Sequence, residues 1–179
     1  MKNKKIVINT LYFVIMLFVM ISCNKDNDKE EELSSMEQIS GFECRNYEGS
    51  SIGSYGGKVN HYIGNKDILE GEIKYFVVFP IPAENRLNVF GTGFDTTQLL
   101  KVWLKQARFE GVLPDNFNQS TLESQPYTGD RRLLQLELMA NDFQLDFEEI
   151  PNGYYRLYIE IEEDLYYENI IVNHHFWGY

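Results

Sequence analysis

The feature of this chain that most constrains its fold is a regular alternation of apolar and polar residues near the C-terminal end. After a turn at 151–153, the side chains of Tyr155, Leu157, Ile159 and Ile161 alternate with more polar ones. A period of two places these four side chains on one face of a β-strand. Shorter alternating runs occupy residues 100–105, 133–138 and 143–147. Several such strands separated by turn signals predict an all-β fold, and specifically an antiparallel β-sandwich.

Two regions interrupt the strand pattern. Residues 50–57 are rich in Gly and Ser and predict a flexible loop. Residues 109–132 contain Gly, Pro and Asn at intervals and predict a long loop, and loops of that length are either functional or disordered. With both loops included, residues 41–179 are numerous enough to bury a core without disulfides, so we predict that they form one domain.

Residues 1–22 predict a removable export signal. Lys2, Lys4 and Lys5 precede an almost wholly apolar stretch at 6–21, which is followed by Ser22. This stretch has 16 residues, fewer than the roughly 20 that a helix needs to cross a bilayer core. A cleaved signal therefore explains the segment better than the alternative, an N-terminal transmembrane anchor.

The segment Met20-Ile21-Ser22-Cys23 resembles the lipobox of bacterial lipoproteins, with Met20 at a position where that motif usually has Leu. The resemblance implies that the chain is cleaved before Cys23 and that Cys23 carries a diacylglycerol thioether and an N-terminal acyl chain. Several acyl chains hold a protein firmly at a membrane, whereas one chain binds only marginally. We therefore expect the mature protein to be anchored to a membrane through Cys23.

Residues 23–40 predict a disordered tether, because the run after Cys23 is polar, acidic and without periodicity. This run also resembles the acidic export signal that follows the lipidated cysteine in surface lipoproteins of the Bacteroidota. By that resemblance the protein is expected on the outer membrane, exposed at the cell surface. A spacer on a lipoprotein that faces the periplasm is the alternative.

Two further segments, VFPIPAENRLNV at 78–89 and FEEIPNGYYRLYI at 147–159, resemble stretches of the C-terminal sorting domains of Bacteroidota type IX secretion substrates. The resemblance covers about residues 75–173 and implies a small immunoglobulin-like sandwich. Ile81 stands where that family has Asn, and the loop at 109–132 looks like an insertion. From the residues themselves, Gly153 relaxes a tight turn and Tyr155 can fold its hydroxyl back onto that turn, as in a tyrosine corner.

The charge of the chain restricts its partners. The net charge is −11, and removing residues 1–22, which contain three lysines and no acidic residue, leaves −14 on the mature chain. Such a surface repels phosphate backbones and anionic headgroups, so no nucleic-acid partner is expected.

The sequence predicts no catalytic site, metal or cofactor. Because Cys23 is assigned to lipid, Cys44 stands alone and is interpreted as a buried apolar residue. His174 and His175 are adjacent, so in a regular strand they point to opposite faces and cannot chelate one ion. The carboxylates at 160–164 predict a solvated edge and turn rather than a glycosidase pair.

Binding is the function that the sequence favours. Trp103, Tyr154, Tyr158 and Tyr166 are assigned by parity to an outward face, where aromatic rings rimmed by polar groups form contact surfaces. The alternative is that a second sheet or the N-terminal segment 41–65 covers them. We expect a non-catalytic interaction module or accessory subunit of an outer-membrane complex, with a protein partner. The alternatives are a glycan-binding lipoprotein and one that neutralises a basic toxin or enzyme.

Overall fold

The computed structural model describes residues 36–65, 73–124, 126 and 131–177. The export signal, Cys23 and most of the acidic tether predicted from the sequence lie outside these residues. The described chain contains a one-turn helix, α1 (Gln119–Leu122), preceded by a short 3-10 turn. Its strands are β1 (Glu37–Ile39), β2 (Gly41–Arg45), β3 (Ser51–Gly56), β4 (Gly64–Asn65), β5 (Lys74–Phe79), β6 (Arg86–Thr92), β7 (Leu100–Phe109), β8 (Arg132–Leu138), β9 (Asp142–Asp146), β10 (Gly153–Ile161) and β11 (Asp164–Val172).

The strands form an all-β, sandwich-like fold, as the alternation predicted. One sheet has the order β8-β7-β10-β11 and is antiparallel, and β1 joins β7 in parallel beyond the end of β8. The other sheet has the order β4-β5-β6-β9 and is also antiparallel. Since β8 and β9 are consecutive in the chain, the turn between them carries the chain from one sheet to the other.

The core lies between the two sheets and is built from the alternating positions of both. In β10, the four apolar side chains at positions 155, 157, 159 and 161 are all buried, as the period of two predicted. Phe76, Val78 and Leu87 meet them from the second sheet in the same apolar cluster. Burial of this continuous apolar area is the main force that holds the two sheets together.

The region predicted as a glycine-rich loop at 50–57 contains a strand, β3, so that prediction is wrong. β3 pairs with β2 in an antiparallel hairpin whose register opposes Phe42 to Tyr55 and Cys44 to Gly53. Glycine is a poor strand former by itself. Here the buried partner strand supplies the backbone hydrogen bonds and the packing that local propensity lacks.

The folded unit begins at Met36, so β1 includes residues that the sequence analysis placed in the tether. Within the described part of the chain, no helix is long and apolar enough to cross a membrane.

Candidate functional site

One end of the larger sheet gathers three connections: the β6–β7 loop, the β8–β9 turn and the β10–β11 turn. The β6–β7 loop ends before Leu100, the β8–β9 turn begins after Leu138, and the β10–β11 turn begins after Ile161. Leu100 is the cross-strand neighbour of both Leu138 and Ile161. The chain enters the domain near the other end of β7, where Glu37 is opposite Ala107. Seven residue steps separate Ala107 from Leu100, which is about 23 Å along a strand. The three connections are therefore well separated from the entry point of the chain.

A row of four side chains crosses the outer face of the sheet at this end. The row runs in the order Glu137, Lys101, Glu160 and Leu165, and each residue is the cross-strand neighbour of the next. The Lys101 ammonium lies 2.5 Å from Glu160 Oε1. The hydrogen bond and the negative charge of Glu160 raise the pKa of Lys101. The pair is therefore an ion pair on the solvent side of the sheet.

Next to this ion pair lies a shallow depression of about 210 Å³, lined by Gln98, Leu99, Lys101, Glu160 and Glu162. Gln98 donates a hydrogen bond from Nε2 to Glu162 Oε1 at 3.0 Å, which ties the β6–β7 loop to the β10–β11 turn. Glu162 adopts a left-handed backbone conformation with φ of 55° that closes this tight turn. The depression is thus built from two loops that hold each other in place.

Exposed apolar side chains lie at the same end of the sheet as the depression. Leu99, Met139 and Leu165 are all more than a third exposed. Leu99 and Met139 flank the last cross-strand pair of β7 and β8. We call Leu99, Lys101, Met139, Glu160 and Leu165 together the hairpin-end patch. Apolar groups mixed with a few charges on loop ends of a rigid sheet are the usual composition of a protein contact surface.

The four aromatic residues proposed from the sequence as a binding face are buried, so their predicted exposure is wrong. Trp103 and Tyr158 do lie on the outer face, but they are only 6% and 8% exposed. Their rings stack on each other at 5.2 Å between centroids, and the Arg132 guanidinium lies 4.4 Å from the Trp103 ring. Neighbouring side chains of the same sheet thus pack against the rings.

Tyr154 and Tyr166 are covered by the N-terminal part of the domain and by the second sheet. Tyr154 stacks on Phe42 of β2 at 5.8 Å between ring centroids. Tyr166 was assigned to the wrong face, since it pairs with Ile159 and its ring packs at 5.3 Å on Phe76 in the core. Burial raises the pKa of Tyr166 to about 12.

The turn at 151–153 has the geometry of a tyrosine corner. Tyr155 donates a hydrogen bond from its hydroxyl to the carbonyl oxygen of Pro151 at 2.7 Å. Gly153 has a φ of 157°, and a Cβ atom placed there would lie 3.4 Å from the Tyr155 hydroxyl oxygen. These contacts fix the start of β10 and are structural. The hydroxyl of the neighbouring Tyr154 is buried without a hydrogen-bond partner.

A buried ionic cluster lies on the core side of β11. Glu168 is 1% exposed and accepts hydrogen bonds from Arg45 Nη1 at 3.0 Å and from the Asn169 backbone amide at 3.0 Å. Arg45 reaches Glu168 Oε2, whereas the Asn169 amide donates to Oε1. His61 Nδ1 lies 2.7 Å from the same Oε1 atom. Arg45 also contacts Glu43. This cluster was not predicted from the sequence. The signal for it is that Glu168 has the same parity as the core residues of β11, so a charged residue stands at a position expected to be apolar.

A second polar network holds β1 on the opposite face of the same hairpin. Arg156 donates to Glu37 Oε2 at 2.8 Å, to the Gln38 carbonyl oxygen at 2.8 Å and to Asn169 Oδ1 at 3.2 Å. Asn169 in turn donates to the Gly41 carbonyl oxygen at 2.8 Å. These bonds satisfy a largely buried guanidinium and fasten the N-terminal strands, so we assign both networks to the architecture of the domain.

The remaining candidate groups have structural surroundings. Cys44 is fully buried, and desolvation raises the pKa of its thiol to about 12, so the reactive thiolate is disfavoured. His174 contacts Asn85 Oδ1 through Nδ1 and the Ile150 carbonyl oxygen through Nε2. Among the described residues, no group of three or more His, Cys, Asp or Glu side chains is arranged to hold a metal ion.

Comparison with known proteins gives little similarity. No protein-family model matches the chain, and no curated protein matches it. Among solved structures, the soluble domain of PmoD from Methylocystis sp. ATCC 49242 (Rockwell) aligns with 64% of this chain and 98% of its own length, at 13% identity and a TM-score of 0.38.

Proposed function

We propose that this protein is a non-catalytic, lipid-anchored lipoprotein of the outer membrane whose β-sandwich binds a protein partner through the hairpin-end patch. The lipid anchor is Cys23, on the resemblance of residues 20–23 to a lipobox. The acidic run that follows supports exposure at the cell surface. The protein then acts as an interaction module or accessory subunit at that membrane.

The observation that carries the proposal is the concentration of exposed apolar side chains and accessible charges in the hairpin-end patch. Scattered exposed apolar residues are ordinary, whereas a group of them around charged residues marks a contact site. The β10–β11 turn beside the patch carries Glu162, Glu163 and Asp164, all exposed. A partner with a basic rim is therefore the better match, because charge complementarity accelerates and orients association.

The glycan-binding alternative receives less support. It rested on exposed rings at Trp103, Tyr154, Tyr158 and Tyr166, and these side chains are buried. A sugar ring that stacks on an aromatic face needs that face to be accessible, and the Arg132 guanidinium lies against the Trp103 ring. A basic toxin or enzyme as the partner is one form of the protein partner proposed above.

The test uses lipidated protein captured from solubilised outer membranes. We expect a stoichiometric partner to be recovered with the wild type and to be lost, by at least tenfold, in the double variant Leu99→Asp, Leu165→Asp. Val112→Asp is the matched control, because Val112 is the most exposed large apolar residue in the described chain, at 81%, and lies beyond the other end of β7.

Metabolic labelling with a fatty-acid analogue checks the anchor separately, since a Cys23→Ser variant should take up no label. Recovery of an unlipidated wild type, or equal capture by the patch variant and the control, contradicts the proposal.

A further inference from the structure

We propose a second binding surface: the open edge of β3 accepts an extended, basic segment of a partner protein as an added β-strand. This surface is separate from the hairpin-end patch, and the inference does not depend on that patch binding anything. Addition of a strand to a sheet edge derives its affinity from main-chain hydrogen bonds and its selectivity from alternate side chains.

The first observation is that β3 has one strand neighbour. It pairs with β2 on one side. Within the described residues, no strand pairs with its other edge, and no further backbone hydrogen bond is formed by residues 51–56 outside the hairpin. β3 therefore presents outward amide and carbonyl groups, and its ladder with β2 is regular from Gly53 to Gly56, which is a template for pairing.

The second observation is that this edge lacks the charges and covering segments that other edges of the domain carry. β8 has exposed Arg132 and Glu137, and β9 begins and ends with an exposed aspartate. The edge of β11 is partly closed by bridges from Tyr62 and Ala83. By contrast, β3 has the sequence Ser-Ile-Gly-Ser-Tyr-Gly, without a charge or a proline. Charges, prolines, bulges and covering segments are the ordinary means of blocking an edge. β3 has a register irregularity at Ile52, opposite Cys44 and Arg45, but the uncharged residues that follow it remain open to pairing.

The third observation is that the hairpin is held rigidly enough to act as a template. Arg45 exchanges backbone hydrogen bonds with Ile81 at 3.0 and 2.9 Å, and Phe42 is fully buried. Tyr55 packs edge-on against Phe117 at 5.1 Å between ring centroids. Because β2 is fixed to the rest of the domain, β3 is held in place as the outer strand of the hairpin. An edge that is already ordered loses little conformational entropy when a strand is added to it.

The charge of the domain selects the occupant. Residues 41–179 contain eleven basic and twenty-one acidic residues, a net charge of −10. Two copies paired through β3 would bring two such domains together, and their repulsion opposes that arrangement. An extended segment with flanking Lys or Arg avoids this cost. Ile52, 47% exposed on the same strand, offers a contact for an apolar side chain of the added segment.

The test uses a displayed library of random ten-residue peptides selected on the full-length chain in detergent. We expect enriched peptides to have a net positive charge and alternating β-branched or aromatic residues. Their affinity should fall at least tenfold in Ile52→Lys, which places a charge on the edge without disturbing a buried group. Val112→Lys is the control for the added charge, and the Leu99→Asp, Leu165→Asp variant identifies peptides that bind the hairpin-end patch instead.

Hydrogen exchange at residues 51–56 supplies a readout that does not depend on any substitution. Bound peptide should slow exchange of the outward amides of β3. The inference is overturned if no peptide is enriched, if enriched peptides bind Ile52→Lys and wild type equally, or if those amides show no added protection. A dimer that sedimentation detects in the wild type and that Ile52→Lys dissociates would also overturn it, because the occupant would then be a second copy.

Discussion

At the scale of single residues, the most consequential side chain is Glu168. Its carboxylate lies on the core face of β11, pairs with the Arg45 guanidinium and contacts His61 Nδ1, so the domain keeps a polar cluster at a position that the strand pattern reserves for apolar groups. A buried pair often contributes little compared with an apolar replacement, yet loss of one partner is costly because the other charge remains buried.

We therefore expect Glu168→Gln to lower the free energy of unfolding by about 3 kcal/mol, because Arg45 loses a buried ionic partner. Urea titration followed by circular dichroism measures the change. Glu160→Gln is the matched control, since Glu160 forms an exposed ion pair and its loss should leave the midpoint nearly unchanged. Similar midpoints for the two variants would show that the cluster is not a determinant of stability.

Two adjacent tyrosines provide a second comparison at the start of β10. Both are buried, but the Tyr155 hydroxyl donates to the Pro151 carbonyl oxygen, whereas the Tyr154 hydroxyl has no partner. Their contributions to stability should therefore differ in sign or size even though the substitution is the same.

Tyr155→Phe is expected to destabilise the domain by about 1 kcal/mol, since it removes a hydrogen bond and leaves a carbonyl without its donor. Tyr154→Phe is expected to be neutral or stabilising, because it removes a buried hydroxyl that makes no bond. The same denaturation assay compares the two. An equal loss in both variants would mean that ring packing, rather than hydrogen bonding, accounts for the effect.

At the scale of elements, the strands that the sequence predicted correctly are those with a strict period of two. The runs at 100–105, 133–138 and 155–161 lie within strands, and the run at 143–147 lies within β9 except for its last residue, Phe147. Their alternation arises from a sheet with one buried face, so local sequence contains the information. β3 was missed because its stability comes from a partner strand, and a Ser- and Gly-rich segment carries no such signal by itself.

The candidate site was predictable to a smaller degree. Parity placed Trp103 and Tyr158 on the correct face, but exposure depends on what packs over that face, and the Arg132 guanidinium that lies against Trp103 comes from a different strand. Tyr166 was assigned to the wrong face because β11 has apolar residues at both odd and even positions, so its sequence does not show which side chains face the core. The hairpin-end patch joins residues from three strands and two loops, so predicting it requires the topology to be known.

At the scale of the whole molecule, the two sheets share one apolar core, and the C-terminal segment packs back on the domain. Trp177 donates from its indole nitrogen to the Pro82 carbonyl oxygen at 2.9 Å, and its ring lies 5.6 Å from that of Tyr47. Trp103 lies in the larger sheet, and these are the two tryptophans of the chain. They therefore report on separate regions of one folded unit.

Because the regions share a core, we expect both to unfold in one cooperative transition. Trp103→Phe leaves Trp177 as the fluorescent reporter, and Trp177→Phe leaves Trp103. In each variant the fluorescence midpoint in urea should equal the midpoint measured by far-ultraviolet circular dichroism. If Trp177 fluorescence changes at lower urea than circular dichroism, the C-terminal segment unfolds on its own.

Under the export proposed above, the burial of Cys44 has a consequence for redox chemistry. Outside the cytoplasm, thiols meet catalysts that oxidise them, and an unpaired cysteine is prone to mixed disulfides with other proteins. Exchange requires a thiolate that another sulfur atom can approach. Cys44 is fully buried and its pKa is raised to about 12, so it meets neither requirement. Once folded, the domain tolerates an oxidising environment without a disulfide and without a partner for its thiol.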